Sequence, residues 1–175
     1  MRIHRLFRVL APMATLLAGF LVCYGTAQAQ FLTDNTDWKE SEVPPPPAFD
    51  VNKLLTFDVS KASSLVYGVD PSTLTVSLTD SVVRYVVVAT SPSGVRNIMY
   101  EGIRCATGEV KTYARYLSDA RWSQVVNAEW RPMSGPLASK HALHLAKTGA
   151  CDSASPVSSV QELVSRLKST RPYLD

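Results

Sequence analysis

Basic and aromatic side chains alternate along two neighbouring segments near the middle of the chain, and together they could bind an acidic group. Guanidinium and ammonium groups pair with carboxylates and phosphates, and tyrosine rings add cation–π contacts. Alternation along two paired strands would place three of these residues on one side of each strand. The candidate ligand-binding residues are Arg96, Tyr100, Arg104, Lys111, Tyr113 and Arg115. The alternative is a solvated sheet face, or a face covered by the acidic N-terminal segment.

Two histidines form a second constellation. His141 and His144 are three residues apart, a spacing that lets two side chains share one face of a helix and that occurs at metal sites. The sequence indicates no third ligand near them, so the pair is a weak metal motif and is more typical of a partly exposed helix pair. We therefore predict no cofactor, with these two residues as weak metal candidates.

Catalytic motifs with a recognisable spacing are absent from the sequence. It has no Gly-x-Ser-x-Gly elbow, no His-Glu-x-x-His pattern, no Gly-x-Gly-x-x-Gly turn and no phosphate-binding loop. This absence disfavours an enzyme and favours a non-catalytic binding or interaction module. A metal-dependent or other hydrolase, using the two histidines, is the alternative.

The first 29 residues are typical of a cleavable signal peptide. Three arginines give a positive start, residues 9–24 are apolar, and residues 27–29 have the small-x-small pattern that signal peptidase recognises. We expect cleavage between Ala29 and Gln30 and an exported product, with an uncleaved anchor as the alternative. A lipoprotein is less favoured, because no small residue stands directly before Cys23.

The charge of the mature chain argues against nucleic-acid binding. Removal of three arginines from the 18 basic residues leaves 15, which equals the 15 acidic residues, so the net charge falls from +3 to zero. A nucleic-acid-binding domain would need a basic surplus. The remaining charge is uneven, because residues 30–80 are acidic and residues 81–175 are basic. Either these halves neutralise each other, or a basic face binds a partner. No transmembrane segment is expected in the mature chain.

The mature chain keeps two cysteines, Cys105 and Cys151. An exported protein with an even cysteine count is expected to form a disulfide, here between these two residues. Two free thiols or a metal pair are the alternative.

Residues 30–50 predict an extended, acidic arm. The four consecutive prolines of residues 44–47 fix their φ angles and donate no backbone hydrogen bonds, which favours polyproline II. Trp38 and Phe49 flank them and could anchor the arm on the domain. A proline-rich ligand for a partner protein is the alternative.

Short β-branched and aromatic runs between turn signals predict an antiparallel meander. Gly102 in the middle of one run indicates a bulge or a close backbone approach. The predicted strands are residues 54–60, 64–69, 73–79, 82–89, 95–105 and 109–117, with a short strand near 122–126. Two helices follow, at roughly 136–148 and from Ser159, where Ser159 and Glu162 form a capping box. We predict an α+β fold in which an antiparallel β-meander of about five or six strands is packed by two C-terminal helices and carries one disulfide.

Three stretches resemble the cryptic neisserial protein-like family of exported proteobacterial proteins. They are DWKESEVPPPPAFD (Asp37–Asp50), VVRYVVVATSPSGVRNIMYEGIRCATGEVKTYARY (Val82–Tyr116) and HALHLAKTGAC (His141–Cys151). The resemblance implies an exported, periplasmic protein of a Gram-negative envelope, with a domain of unknown function, and it brings no catalytic residues with it. We therefore expect an envelope-associated interaction module whose partner is an envelope protein or an acidic ligand, with a hydrolase of the periplasm as the alternative.

These observations predict three parts. Residues 1–29 are a signal peptide, residues 30–50 an extended proline-rich arm, and residues 51–175 a single α+β domain of ordinary size.

Overall fold

The computed structural model describes residues 37–169. The predicted signal peptide, its cleavage site and the first residues of the arm lie outside the described residues. Within residues 37–169, no helix is long and apolar enough to cross a membrane.

The fold is built on two long antiparallel strands, β4 and β5. Residues 82–89 of β4 are all buried, which agrees with their β-branched, apolar sequence. Residues 82–90 pair with 96–104 without interruption through the turn at residues 91–95. Gly94 has φ +84° in that turn, a conformation that side chains rarely adopt.

Eight of the strands in the described residues form one antiparallel sheet with the order β1-β2-β4-β5-β6-β7. Strands β2 and β3 lie end to end on one edge of β4, and β7 and β8 lie end to end on one edge of β6. A separate two-stranded ribbon is formed by β9 and β10. The strands are β1 (Leu55–Phe57), β2 (Val66–Val69), β3 (Thr75–Val76), β4 (Val82–Thr90), β5 (Arg96–Arg104), β6 (Glu109–Tyr116), β7 (Trp122–Gln124), β8 (Arg131–Pro132), β9 (Cys151–Asp152) and β10 (Ser155–Pro156).

Two helices follow the sheet, α1 (His141–Leu145) and α2 (Val160–Ser169). Helix α1 begins later than the predicted residue 136, because the Ser139 hydroxyl accepts the His141 backbone N–H and turns the chain into the helix only there. It continues into one π-helical turn, Ala146–Ala150, where Gly149 has a left-handed φ of +155°. Gly149 is thus the glycine at the C-terminal end of this helical segment, a position that glycine often occupies.

Helix α2 begins as predicted. The Ser159 hydroxyl accepts the backbone N–H of Glu162, which is one half of a capping box, while the Glu162 carboxylate turns to Ser158 and Arg166 instead. Leu163 and Leu167, four residues apart on one side of the helix, are buried in the helix-side core, so this side of α2 packs on the sheet.

The sheet is covered on both faces. On the helix-side face, the core contains side chains from β1, β2, β4 and β5 together with both helices. On the opposite, arm-side face, a second core contains Val86, Val88, Ile98 and Tyr100 beneath residues 43–54. The predicted α+β architecture, an antiparallel sheet with two C-terminal helices and one disulfide, is therefore confirmed, and its arm is an integral layer.

A β-bulge interrupts the pairing of β5 with β6. Tyr100 pairs with Ala114 but Glu101 pairs with Thr112, which leaves Tyr113 as the extra residue. The Tyr113 ring lies across Gly102, where an added Cβ would stand 2.3 Å from the phenolic oxygen. Of the two alternatives expected at Gly102, the close approach is present, with a side chain as the neighbour. The bulge lies in the neighbouring strand, at Tyr113 of β6.

The disulfide joins the end of the central hairpin to the end of the first helical segment. Cys105 directly follows β5, and Cys151 directly follows the π-helical turn, with 5.6 Å between their Cα atoms. The predicted Cys105–Cys151 bond is confirmed, and it holds the helical layer against the sheet.

Reduction of the disulfide should lower the free energy of unfolding by about 4 kcal/mol, because the bond closes a long loop in the unfolded chain. Its two cysteines are 46 residues apart. Urea unfolding with and without dithiothreitol measures the change. The Cys105→Ala/Cys151→Ala variant should match the reduced protein and show no response to dithiothreitol. An unfolding midpoint that the reductant leaves unchanged in the native chain would contradict this prediction.

Candidate functional site

The arm begins its contact with the sheet at Trp38. The indole N–H donates to the backbone carbonyl of Asp80 at 2.9 Å. The guanidinium of Arg104 lies 3.9 Å from the centre of the Trp38 ring, a close cation–π contact. Trp130 packs edge-on against Trp38. The predicted anchoring role of Trp38 is therefore present in the structure.

Glu40 brings a carboxylate onto the basic face of the sheet. It accepts hydrogen bonds from Lys111 Nζ at 2.8 Å and from the Tyr113 hydroxyl at 2.6 Å, and Arg84 lies 3.6 Å away. Burial and the neighbouring carboxylate raise the pKa of Tyr113, so this phenol stays protonated and donates. The acidic group that the basic and aromatic cluster was expected to bind is, in this structure, supplied by the chain's own arm.

A buried ion pair lies beneath Glu40. Arg84 is 3% exposed, and its guanidinium donates to Asp80 Oδ2 at 2.5 Å. The same oxygen accepts the Ser41 hydroxyl, and the Ser41 backbone N–H at 3.0 Å. Burial alone would raise the pKa of Asp80, but the hydrogen bonds from Arg84 and Ser41 outweigh it and hold the pKa well below its ordinary value of 3.8.

The rest of the arm covers the apolar part of this face. Phe49 packs edge-on against Tyr116, with ring centres 4.9 Å apart, and against Trp122 at 5.6 Å. The prolines bound a small cavity of about 250 Å³ together with Tyr100 and Tyr113. The arm-side face is thus occupied along most of its length.

The helix-side face contains the larger cavity, of about 610 Å³. It lies between β5 and β6 on one side and residues 125–141 on the other. Its apolar wall is formed by Leu65, Tyr67, Met99, Val110, Val125 and Leu137. Its polar groups include Glu101, Thr112, Arg115, Glu129, Arg131 and His141.

Glu101 and His141 form the floor of this helix-side cavity. Glu101 is 2% exposed, and its Oε2 stands 2.7 Å from His141 Nε2. The Tyr85 hydroxyl donates to the same Oε2 at 3.1 Å, and the Thr112 hydroxyl donates to Oε1 at 2.9 Å. Burial alone would raise the pKa of Glu101, but the attraction of His141 and these hydrogen bonds lower it. The carboxylate is therefore held as an anion, with its oxygens already bonded.

His141 is fixed from three directions. Its ring stacks on Tyr67 at a centroid distance of 5.4 Å and 8° between the planes. Its Nδ1 stands 3.1 Å from the Ser139 hydroxyl, and its Nε2 faces Glu101. Both ring nitrogens are engaged, so the residue supports the cavity floor and is poorly suited to ligate a metal. Among residues 37–169, no group of three or more His, Cys, Asp or Glu side chains could hold a metal ion.

Comparison with known proteins assigns the chain to a family. The model of the CNP1-like family matches residues 33–168. The chain is also 32% identical over 149 residues to "Cryptic neisserial protein 1" of Neisseria gonorrhoeae (strain ATCC 700825 / FA 1090), an alignment that covers 75% of this chain and 72% of that protein. The chain belongs to the CNP1-like family. No solved structure matches it significantly. The resemblance noted from the three sequence stretches is thereby confirmed, and family membership brings no established activity with it.

The structure brings together most of the predicted ligand-binding residues, but not all of them. Tyr100, Arg104, Lys111 and Tyr113 lie on the arm-side face. Arg96, at the start of β5, is exposed. The expected alternation was wrong for Arg115, because the extra residue at Tyr113 shifts the strand and turns Arg115 to the helix-side face opposite Met99. The other metal candidate, His144, does not line the helix-side cavity.

Sequence reasoning missed Glu101, Thr112 and Tyr85 as a hydrogen-bonded group. One signal was available, since Glu101 is the charged residue in the otherwise apolar middle of its strand, residues 98–103. A buried carboxylate in such a position needs partners. Which partners it has depends on the pairing of β5 with β6 and on a histidine 40 residues away.

Asp80→Ala should lower the free energy of unfolding by about 3–5 kcal/mol, because it leaves the buried Arg84 guanidinium without its nearest carboxylate. In the native chain, the folded-state pKa of Asp80 lies below its unfolded value, so its stabilisation is complete above about pH 5 and is lost as the pH falls further. Urea unfolding between pH 3 and 7 measures both effects. Asp119→Ala removes an exposed ion pair and is the matched control, with a loss below about 1 kcal/mol. Equal losses in the two variants would refute the role of Asp80.

Proposed function

We propose that this protein is an exported, non-catalytic binding module of the cell envelope, and that its ligand is a small molecule held in the helix-side cavity. The observation that carries the proposal is the cavity itself, which combines an apolar wall with a rigid, hydrogen-bonded polar floor. Its volume of about 610 Å³ falls within the range of roughly 300–1,000 Å³ that is usual for ligand sites.

The organisation of the polar floor favours binding over catalysis. Catalytic acids and bases need a free lone pair or proton facing the substrate. Glu101 is bonded to three neighbours, and both nitrogens of His141 are engaged. The Ser139 hydroxyl stands near His141, but it also accepts the His141 backbone N–H and is thus part of the turn into α1. This group is arranged to hold its own shape, which supports a preorganised binding site.

The arm-side face offers less support for a ligand site. Its cations and tyrosines already contact Glu40, Asp80 and Trp38. An external acidic partner would have to displace the arm and would expose the second apolar core. A ligand could enter the helix-side cavity without displacing the arm, so this cavity is the better candidate for the ligand-binding site.

N-phenyl-1-naphthylamine, an uncharged dye that fluoresces in apolar surroundings, tests the cavity. We expect saturable fluorescence enhancement with the native chain. Ala138 is exposed at the cavity wall, so Ala138→Trp should fill the cavity without disturbing the core and should weaken dye binding by about tenfold. Ala62→Trp, at an exposed turn away from the cavity, is the matched control and should bind as the native chain does.

Two outcomes decide the proposal. Loss of binding in Ala138→Trp alone supports it. No saturable binding to the native chain, or equal binding by the native chain and Ala138→Trp, refutes the cavity as the binding site.

The export part of the proposal is supported by the sequence of residues 1–29, with its arginines, apolar run and Ala-Gln-Ala end, and by a disulfide that an oxidising compartment would maintain. Expression of the full chain in a Gram-negative host, followed by periplasmic extraction and intact-mass spectrometry, tests it. The expected product begins at Gln30 and weighs two hydrogens less than its reduced form. A full-length product that stays in the cytoplasm, or one lipidated at Cys23, would overturn it.

A further inference from the structure

We propose that the ligand of the helix-side cavity is an organic anion, with an apolar body on the cavity wall and one acidic group bound by Arg115 and Arg131. This inference rests on the proposed function and adds the chemical class of the ligand. It follows from three observations, namely the bulge in β6, the lack of side-chain partners for the two arginines, and the charges around the cavity.

The β-bulge is the feature that places the side chain of Arg115, an exposed residue, at the rim of the cavity. Without the extra residue at Tyr113, strict alternation would put Arg115 on the same face as Lys111. With the bulge, Lys111 and Tyr113 serve the arm side, while Arg115 turns to the cavity side with Thr112. Bulges often occur beside functional sites, where they redirect a side chain. Because of the bulge, the side chains of β6 both hold the arm on one face of the sheet and line the cavity on the other.

The second observation is that the side chains of the two cavity arginines have no protein partner. Within residues 37–169, neither the Arg115 nor the Arg131 side chain forms a hydrogen bond or an ion pair, although both backbones are paired in the sheet. Four other arginines in this part of the chain contact carboxylates, and they are Arg84, Arg104, Arg121 and Arg166. Arg96 is also unpaired, but it stands at the exposed start of β5, outside the cavity. A guanidinium presents several donors in a planar fork that matches an acidic group.

The charges around the cavity fit one negative charge on the ligand. The Glu101 carboxylate is buried in the floor, where its oxygens are bonded to Tyr85, Thr112 and His141. The exposed charged groups at the rim are two guanidinium ions, those of Arg115 and Arg131, and one carboxylate, that of Glu129. The rim therefore carries one positive charge in excess. Around it, side chains such as Tyr67, Met99 and Leu137 offer apolar surface for the body of the ligand.

A pair of dyes separates the charge from the apolar body. The anion 8-anilino-1-naphthalenesulfonate is N-phenyl-1-naphthylamine with an added sulfonate, so the two dyes share one apolar body. We expect the anion to bind the native chain about tenfold more tightly than the neutral dye, as one charge-assisted contact implies. Arg115→Gln/Arg131→Gln should remove this difference and leave the neutral dye unaffected. Arg121→Gln, an exposed arginine outside the cavity, is the matched control and should change neither dye.

Displacement of the sulfonate dye extends the test to acidic groups of other chemistry. Dodecanoate or dodecyl phosphate should displace it at concentrations about tenfold lower than dodecanol does, and the better of the two anions identifies the preferred headgroup. If dodecanol competes equally well, the anion proposal is overturned.

The failures of the two proposals are distinguishable. Binding of both dyes with equal affinity, blocked by Ala138→Trp, would overturn the anion proposal and leave the cavity as a binding site. Tight binding of the sulfonate dye that persists in Arg115→Gln/Arg131→Gln would also overturn it. Absence of cavity binding by either dye would overturn both proposals.

Discussion

The fold depends on a central pair of strands that is apolar on both faces. Residues 82–89 of β4 are all buried, and an unbroken ladder joins β4 to β5, so neither face of this pair can be left to water. Two helices and a disulfide cover one face. The other face is covered by a segment without regular secondary structure, whose prolines leave few backbone donors to satisfy. The arm is therefore one of the three layers of the domain.

Ion pairs and hydrogen bonds, in addition to apolar packing, hold the arm-side layer on the sheet. Arg84 lies in the most buried strand, and a lone guanidinium there would be very costly. Asp80 and Glu40 surround it, while Ser41 and Trp38 bond to Asp80. This chain of contacts specifies where the arm starts on the sheet, since only one register brings all of them together. The acidic arm and the basic half of the chain thus neutralise each other, which was one of two interpretations of the uneven charge.

Local patterns predicted the elements well, and long-range pairing decided the rest. The strand β4 was predicted from its β-branched residues and the start of α2 from Ser159, which are patterns within a few residues. The disulfide was predicted from the even number of cysteines in the mature chain. The predicted strand at residues 73–79 shortened to Thr75–Val76, because the chain turns again at residues 78–80 and leaves Leu78 exposed. The orientation of Arg115 was predicted wrongly because a bulge has no clear local signature. The bond between Glu101 and His141 spans 40 residues and appears only when sheet and helix meet.

The end-to-end arrangement of the short strands limits the pairing of another chain with the edges of the sheet. Long, regular sheet edges expose rows of unpaired backbone groups to which another chain can add. Here the long strands β4, β5 and β6 are interior, and their outer neighbours β1, β2, β3, β7 and β8 have only two to four residues each. Within residues 37–169, no outer strand offers a template of more than a few residues. Each side of the sheet carries two short strands placed end to end instead of one long strand. This arrangement therefore protects a strongly β-forming sequence from self-association through the sheet edges.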